Sequence, residues 1–351
     1  MQSVFAVLIF CVVLFLYLHI YFHMKTSNDL EVYEIDQPSK DKLEEVCDLR
    51  QPVLFDYANE RLMESCTLPA IRAAYGAFDV RLRNVKDAAD DADATELYVP
   101  LTLHAVAESF RGDKESRYIS ENNGDFLEET GLVKTFKYND AFLRPPMVSN
   151  CAYDVMCASP GTATPLRYEL NYRNYYLVTQ GGVKMRLIAP NASKYLYPVA
   201  DYDNFEFRSP VNPWHVQAEY RADFDKIKTM DVDLIAGQII YIPAYWWCSI
   251  LFPESAELTT VCCFKYRTYM NTVSILNKLG MWLLQQQNVK RDTIEKKITA
   301  TTASATTANA TTVSATSATS ATTASATSAT SATDNAAIVA TDSIPNGAGN
   351  S

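Results

Sequence analysis

One stretch of the chain limits its possible folds more than any other. Residues 236–252 read AGQIIYIPAYWWCSILF. The β-branched and aromatic run Gln238–Ile242 ends at Pro243, a composition typical of a strand closed by a turn. A second short strand is predicted over Cys248–Phe252. The aromatic block Tyr245–Trp247 between them carries too much apolar surface to remain in water. The sequence therefore predicts two consecutive buried strands inside a mainly β domain.

Further predicted elements surround this stretch. Thr164–Pro190 indicates a hairpin, with a strand on each side of a turn at Gly181-Gly182. Leu258–Phe264 is a further strand and Gln51–Tyr57 the first one. A loop rich in turn residues is expected over 139–161, and an acidic surface loop over Val85–Glu96. Helices are predicted over Asp41–Cys47, Asn59–Cys66, Leu68–Tyr75, Leu101–Ser109 and Asp125–Gly131.

Four pieces of the chain, in this order, resemble the cupin-like and JmjC-type 2-oxoglutarate oxygenases, especially the asparaginyl-hydroxylase-like branch. They are the strand at Pro52, then Thr164–Glu169, Gly182–Pro190 and Gly237–Cys248. The resemblance covers about residues 40–265. It implies a mainly β fold with flanking helices, in which the strands form a double-stranded β-helix, or jelly roll.

The metal positions of the resembling family are altered in this chain. That family binds Fe(II) through a His, an Asp or Glu two residues later, and a distal His. The matching positions here are Arg167, Glu169 and Cys248. An arginine has no lone pair to offer a metal, whereas Glu169 and a Cys248 thiolate could still ligate one. The four histidines of the chain lie outside the motif strands: His19, His23, His104 and His215. We therefore expect no intact metal site.

The resemblance also implies a ligand pocket. Lys184 matches the lysine that holds 2-oxoglutarate in the family, and Lys184 and Arg186 share one strand face. Together with Arg167 they are expected to form a cationic cavity for a small anion, unless Lys184 is an ordinary strand-edge lysine. Arg167 is expected to pair with Glu169, the alternative being that both are solvated at the barrel mouth. The remaining candidate pocket residues are Thr164, Asn174, Tyr176 and Trp247. For Trp247 we expect a packing role primarily and a ligand contact secondarily.

The two ends of the chain have different compositions from the middle. Val4–Tyr21 is uncharged and almost wholly apolar, long enough to cross a bilayer as one helix. We predict an uncleaved single-pass anchor over residues 1–24, with a cleaved signal peptide as the alternative. Lys25 follows the apolar run and favours a cytoplasmic main domain. Residues 25–40 are predicted to be a tether.

The C-terminal quarter of the chain divides into helices and a low-complexity tail. Thr268–Ile298 is predicted to be one or two helices that complete a domain over residues 41–298. Its apolar stripe favours core packing or homodimerisation over a second membrane span. Residues 299–351 are a Thr/Ala/Ser tract with too few large apolar side chains to fold, so disorder is predicted. The stripe consists of Val273, Ile275, Leu276, Leu279, Trp282 and Leu283.

Composition and motifs together lead to one functional interpretation. The net charge of −10 argues against a nucleic-acid-binding protein, and eight scattered cysteines without a C-x-x-C pair indicate reduced thiols. We predict a membrane-anchored cupin-like domain that needs no cofactor, lacks catalysis, and binds a protein partner or small anion, or serves structurally. The alternative is a divergent oxygenase that uses Fe(II) and 2-oxoglutarate at an altered site. The combination of anchor, altered domain and tail also resembles proteins of large DNA viruses.

Overall fold

The protein is described by a computed structural model that covers residues 2–57, 59–85, 98–202, 205–254 and 258–288. Within these residues the strands form two sheets, one of nine strands and one of six. The strands are β1 (Tyr33–Ile35), β2 (Val53–Asp56), β3 (Asp79–Asn84), β4 (Val99–Thr102), β5 (Tyr118–Ser120), β6 (Val148–Ala158), β7 (Arg167–Tyr168), β8 (Arg173–Gln180), β9 (Gly182–Ile188), β10 (Val199–Asp201), β11 (Glu206–Arg208), β12 (Met230–Ile235), β13 (Gln238–Pro243), β14 (Trp247–Leu251) and β15 (Thr260–Thr268).

The nine-stranded sheet has the order β1-β2-β13-β8-β15-β6-β5-β3-β4, and the six-stranded sheet the order β10-β11-β7-β14-β9-β12. Their inner faces pack together in one apolar core, to which β8 and β13 contribute from the first sheet and β9, β12 and β14 from the second. This sandwich with flanking helices confirms the predicted fold class. The helices are α1 (Gln2–Met24), α2 (Lys40–Asp48), α3 (Glu60–Ser65), α4 (Leu68–Tyr75), α5 (Leu103–Gly112), α6 (Gly124–Glu129), α7 (Val133–Asn139), α8 (Arg221–Phe224), α9 (Tyr269–Ser274) and α10 (Leu276–Asn288).

The continuous apolar run of β13 follows from its place in the sandwich. Ile240 and Ile242 enter the core between the sheets, whereas Ile239 and Tyr241 enter a second core on the opposite face. That second core also contains side chains of the helices α2 to α7. A strand buried on both faces needs apolar residues at nearly every position, and this explains the unbroken apolar run in the sequence of β13.

Short polar side chains begin several of the flanking helices. Ser39, Asn59, Thr67 and Thr102 each accept a hydrogen bond from a backbone N–H in the first turn of the helix that follows. Such N-caps satisfy backbone donors that the helix itself leaves free. The five helices predicted between residues 41 and 131 are found close to their expected places: Leu68–Tyr75 has the expected ends, and the ends of the other four differ by one to three residues.

The prediction of a hairpin over Thr164–Pro190 is wrong. Strand β8 pairs with β13 and β15 in the first sheet, whereas β9 pairs with β12 and β14 in the second. Gly181 lies between them with φ +72° and takes the chain from one sheet to the other. A two-residue glycine turn between two strands suggests a hairpin from sequence, but the strand partners come from distant parts of the chain.

Replacing Gly181 by alanine is expected to destabilise the protein by about 1–3 kcal/mol. A Cβ atom at this position would lie 2.5 Å from Thr259 Oγ1 and 3.3 Å from Thr259 Cα, and the φ of +72° disfavours any L side chain. The matched control is Gly112→Ala at the end of α5, where nothing lies within 4 Å of the new Cβ. Thermal unfolding of both variants measures the difference, and equal melting temperatures would contradict it.

Two other segments differ from their predictions. The expected loop over 139–161 contains β6, which pairs with β15 along its length. Val148–Ala158 contains several polar residues, so it lacks the apolar pattern that predicts a strand. The predicted tether over 25–40 also contains a strand, since Tyr33–Ile35 pairs in parallel with β2. The acidic loop lies outside the described residues beyond Val85, as does the predicted tail over 299–351.

Helix α1 is long and apolar enough to cross a membrane, a test that N-terminal signal sequences also pass. Its last turn is docked on the domain. Arg50 Nη1 donates hydrogen bonds of 2.6 Å to the carbonyl oxygens of Phe22 and Lys25, and its guanidinium lies 4.3 Å from the centre of the Phe22 ring. The buried His23 ring meets Tyr172 edge-on. Helix α9 packs against α1 as well.

Candidate functional site

The three family metal positions come together between the two sheets. Cys248 on β14 is the direct register partner of Arg167 on β7, and both side chains are buried. Glu169 follows β7 and lies near enough to influence the ionisation of Cys248. The two-residue spacing and the distal strand thus bring these positions together as the resemblance implies, although the chemistry of the side chains has changed.

Arg167 belongs to a buried ionic cluster, which we define as Arg83, Glu121, Arg167 and Glu206. Arg167 lies 2.6 Å from one oxygen of Glu121, and Arg83 lies 2.5 Å from the other. Glu206 is 3.4 Å from Arg83 and 3.9 Å from Arg167. Arg83 lies on β3 and Glu121 directly follows β5, both in the first sheet, whereas Arg167 and Glu206 lie on strands of the second. The cluster therefore joins the two sheets.

Glu121 is the central carboxylate of this cluster, and its side chain is only 1% exposed. Burial by itself would raise the pKa of Glu121, but the charges of Arg167 and Arg83 outweigh it and lower the pKa to about 2. Tyr98 and Asn122 add hydrogen bonds around Glu206. Glu121 is therefore ionised at neutral pH and compensates the charges of two buried arginines.

Glu169 has a different partner from the one expected. Its Oε1 accepts a 2.6 Å hydrogen bond from Nζ of Lys265 on β15. Burial would raise the pKa of Glu169, but Lys265 and then Arg167 outweigh it, so the pKa is lowered. The predicted ion pair between Arg167 and Glu169 is thus replaced by two pairs, one to Glu121 and one to Lys265. The alternative of a solvated barrel mouth does not fit Arg167, which is buried.

Cys248 is a neutral thiol at physiological pH. Burial raises its pKa to about 11, although the charge of Arg167 partly opposes that rise. Nearby in the same core lie the hydroxyl of Tyr176 and the Nε1 of Trp246, two buried polar atoms without a hydrogen-bond partner among the described residues. A thiol must lose its proton to ligate a metal, so this environment disfavours ligation by Cys248.

Cys248 is expected to react with iodoacetamide at least about tenfold more slowly than Cys151 in the folded protein at pH 8. Only the thiolate reacts, and Cys248 combines burial with a raised pKa, whereas Cys151 is partly exposed. Peptide mass spectrometry after timed alkylation measures both rates, and denaturation should bring them together. Comparable rates in the folded protein would contradict the described environment.

The residues at these positions do not fit a Fe(II) centre. Arg167 has no lone pair, Glu169 is engaged by Lys265, and Cys248 is protonated. In the part of the chain that the structure describes, no group of three His, Cys, Asp or Glu side chains is arranged to hold a metal ion. His104 and His215 are both exposed. The three residues are placed as in the family pattern, but their side chains do not supply the ligands that Fe(II) needs.

The predicted cationic cavity is not formed. Along β9 the side chains alternate, so Val183, Met185 and Leu187 enter the core between the sheets while Lys184 and Arg186 face outward. Lys184 lies 3.5 Å from Asp231 and its side chain is 42% exposed. Arg186 forms a bidentate ion pair with Asp231, and its guanidinium carbon lies 4.3 Å from the centre of the Trp214 ring. The structure therefore separates both residues from Arg167.

The other candidate pocket residues are packed or hydrogen-bonded within the domain. Thr164 Oγ1 accepts from the Ile250 N–H, and Asn174 donates to the Ile242 carbonyl. Trp247 is buried on the outer side of the second sheet, where its Nε1 donates to Ser193, whereas Tyr176 lies in the inner core. Trp246, rather than Trp247, shares that inner core with Cys248.

Sequence reasoning missed the residues that complete the site. Arg83 lies on β3 and Glu121 directly follows β5, and neither strand was predicted, so no pattern pointed to these residues. Lys265 could have been found from the sequence, because it directly follows the apolar strand residues Val261–Phe264. By alternation it shares a strand face with Val261 and Cys263, which lie in the core between the sheets. A charged residue within a buried strand needs a partner of opposite charge.

Two packed, largely antiparallel sheets, with the family metal positions on or next to the central strands β7 and β14 of the second, define a sandwich of the cupin type. Comparison with protein families supports this class. A family model described as a cupin-like domain matches residues 39–251. The match covers more than half of the chain, which therefore belongs to the cupin-like domain family. A search of curated proteins found no match to this chain.

Proposed function

We propose that this protein is a membrane-anchored cupin-like domain that binds a partner or serves structurally, without Fe(II)/2-oxoglutarate catalysis. One observation carries the proposal. The positions that would hold the metal are taken by two ion pairs, Arg167–Glu121 and Glu169–Lys265, each with a distance of 2.6 Å. A cationic group stands beside each carboxylate, so the charge balance that a metal would supply comes from the chain itself.

The two ion pairs also connect the two sheets of the domain. Each joins a residue on or directly after β7 to one from the first sheet, so together they link the sheets across the family metal positions. Apolar side chains fill the core beside them, including Met185, Leu187 and Ile250. Such a domain offers a rigid outer surface on which a protein partner or a small anion could be recognised.

Membrane attachment is the second part of the proposal. The docked end of α1 supports retention of the helix, since Arg50 contacts the backbone at Phe22 and Lys25 together with the Phe22 ring. The contacts to Phe22 would be lost if a protease removed residues 1–24. The side of the membrane on which the domain lies is proposed to be cytoplasmic because of Lys25.

The test of the catalytic part is turnover of 2-oxoglutarate. The full chain in detergent is incubated with Fe(II), ascorbate and 2-oxoglutarate, and succinate is measured by mass spectrometry. A Glu169→Ala variant serves as the matched control, because Glu169 is the one family ligand position that retains a carboxylate. We expect equal background from both proteins. Succinate formation that depends on Glu169 would overturn the proposal and support a divergent oxygenase.

A further inference from the structure

A cavity of about 520 Å³ lies on the outer side of the second sheet, away from the family metal positions. Three stretches of the chain line it: residues 28–30, part of the 3-10 helix Pro190–Tyr195, and residues 226–228, which follow α8. Small-molecule sites in proteins occupy about 300–1,000 Å³. The cavity therefore has the size of a ligand site.

The walls of this cavity are held in place by the rest of the domain. Ala192 is buried in the apolar cluster around Trp247, and Ile227 packs against the same cluster. On the third side, the backbone N–H of Asn191 donates a 3.1 Å hydrogen bond to Oδ1 of Asn28. All three stretches are thus connected through contacts below or beside the cavity, so its shape does not depend on a ligand.

The charged groups that line the cavity are mainly cationic. They are the lysines Lys194, Lys226 and Lys228 and a single carboxylate, Asp29. The Asp29 carboxylate already accepts a 3.2 Å hydrogen bond from Nε2 of Gln51. Lys194 and Lys228 form no ion pair with any residue in the described part of the chain. An excess of positive charge at one cavity is notable in a chain whose net charge is −10.

The ring of Tyr195 brings two of these ammonium groups together. Nζ of Lys194 lies 4.8 Å from the centre of the ring, and Nζ of Lys226 lies 5.5 Å from it. Two like charges held beside one ring repel each other, and the ring itself offsets little of that repulsion at an exposed site. Asp223 compensates Lys226 at a distance of 2.6 Å. A bound anion would compensate the other lysines.

We propose that this cavity binds a small phosphorylated molecule through Lys194, Lys226 and Lys228. A lysine is a compact point charge suited to a phosphate group, whereas a planar carboxylate is matched best by arginine, and no arginine is among the described residues that line the cavity. The amide side chains of Asn28 and Asn191 at the same cavity can bond hydroxyl groups. A phosphorylated sugar or polyol therefore fits best.

This inference rests on the proposed function, since it names a site and a ligand class for the binding role of the domain. It also places the anion site outside the sandwich. The predicted cavity of Arg167, Lys184 and Arg186 is not formed, but the outer face of the same sheet provides another cationic surface. Trp247, a candidate pocket residue from the sequence, would support this site from below without touching the ligand.

The experiment measures binding of tritium-labelled inositol trisphosphate to the full chain in detergent, by equilibrium dialysis in about 0.15 M NaCl, where distant surface charges are largely screened. The test variant combines Lys194→Met with Lys228→Met, which removes two charges. The matched control combines Lys114→Met with Lys134→Met, two exposed lysines that do not line the cavity. A third protein combines Lys194→Arg with Lys228→Arg and keeps the charges.

We expect the wild type to bind the trisphosphate and the test variant to bind it at least about tenfold more weakly. The control variant and the arginine variant should stay within about threefold of the wild type, because the first keeps the site and the second keeps its charge. Absence of binding by the wild type would overturn the inference. Equal weakening in the test and control variants, or loss of binding in the arginine variant, would overturn it as well.

Displacement of the bound label distinguishes the two sources of this ligand chemistry. Unlabelled inositol trisphosphate and a short-chain phosphatidylinositol bisphosphate are compared as competitors. Displacement by both at similar concentrations supports a soluble phosphorylated ligand. Displacement by the lipid at concentrations at least about tenfold lower supports a lipid headgroup, with its acyl chains adding to the affinity. Failure of both competitors would show that the label is not held at a specific site and would overturn the inference.

The failure of this inference can be distinguished from the failure of the proposed function. Loss of lysine-dependent binding, together with no succinate formation, would overturn the anion site alone. Succinate formation that depends on Glu169 would overturn the non-catalytic function, whatever the lysine variants do. The two measurements are independent, because Lys194 and Lys228 are exposed outside the second sheet and Glu169 contacts Lys265 next to the core.

Discussion

Replacing Glu121 by glutamine is expected to lower the free energy of unfolding by about 3–5 kcal/mol. The substitution keeps the size of the side chain but removes the charge that compensates Arg83 and Arg167, both of which are buried. A buried charge that loses its partner keeps its full desolvation cost, and Glu206 at 3.4–3.9 Å compensates only part of it. Denaturant unfolding of the full chain in detergent, followed by tryptophan fluorescence, measures the change.

The control for this variant is Glu45→Gln. Glu45 lies 3.1 Å from Lys42 in α2, and the two side chains are 71% and 46% exposed. An exposed pair of this kind contributes about 0–1 kcal/mol, so its loss should leave the unfolding curve almost unchanged. Similar small effects of both variants would show that Glu121 is hydrated and that the ionic cluster does not hold the sheets together.

The second expected result concerns acid. The difference in free energy of unfolding between the wild type and Glu121→Gln should shrink by about 2 kcal/mol between pH 7 and pH 3. The pKa of Glu121 is lowered to about 2 in the folded protein, below the ordinary value of 4.5 that the unfolded chain keeps. Unfolding curves of both proteins across this pH range provide the measurement.

The sign of the effect follows from proton uptake. Between pH 4.5 and 2 the unfolded chain binds the proton on Glu121 and the folded protein does not, so acid favours unfolding. The contribution is complete above pH 4.5 and is lost as the pH falls toward 2. Asp154 acts with the opposite sign at higher pH, because burial raises its pKa to about 6, but both proteins contain it and the subtraction largely removes it. A constant difference down to pH 3 would contradict the lowered pKa.

The fold was predictable from sequence where the pattern is local. Strands β13 and β14 appear in Gln238–Phe252 because burial on both faces demands unbroken apolar runs, and the capped helices carry their start signals. Strand pairing was not predictable in the same way. The turn at Gly181-Gly182 has the composition of a hairpin, yet β8 and β9 join different sheets because their partners come from elsewhere in the chain.

The site was predictable in its positions but not in its partners. The spacing of Arg167 and Glu169 and the place of Cys248 follow from the family pattern, and the structure brings the three together. Glu121 and Lys265 lie 46 and 96 residues from the groups they neutralise, so no local pattern connects them. Lys184 was misplaced because alternation shows which residues share a face without showing which face is inside.

Metal content is the most direct test of the central claim that ion pairs have replaced the metal centre. The full chain is purified without chelator, offered Fe(II) and 2-oxoglutarate, desalted, and analysed for bound iron by mass spectrometry. The ion-pair account predicts far less than one equivalent, unchanged in Glu169→Ala and Cys248→Ala variants. One equivalent of retained iron that either substitution removes would contradict it and show a working metal site.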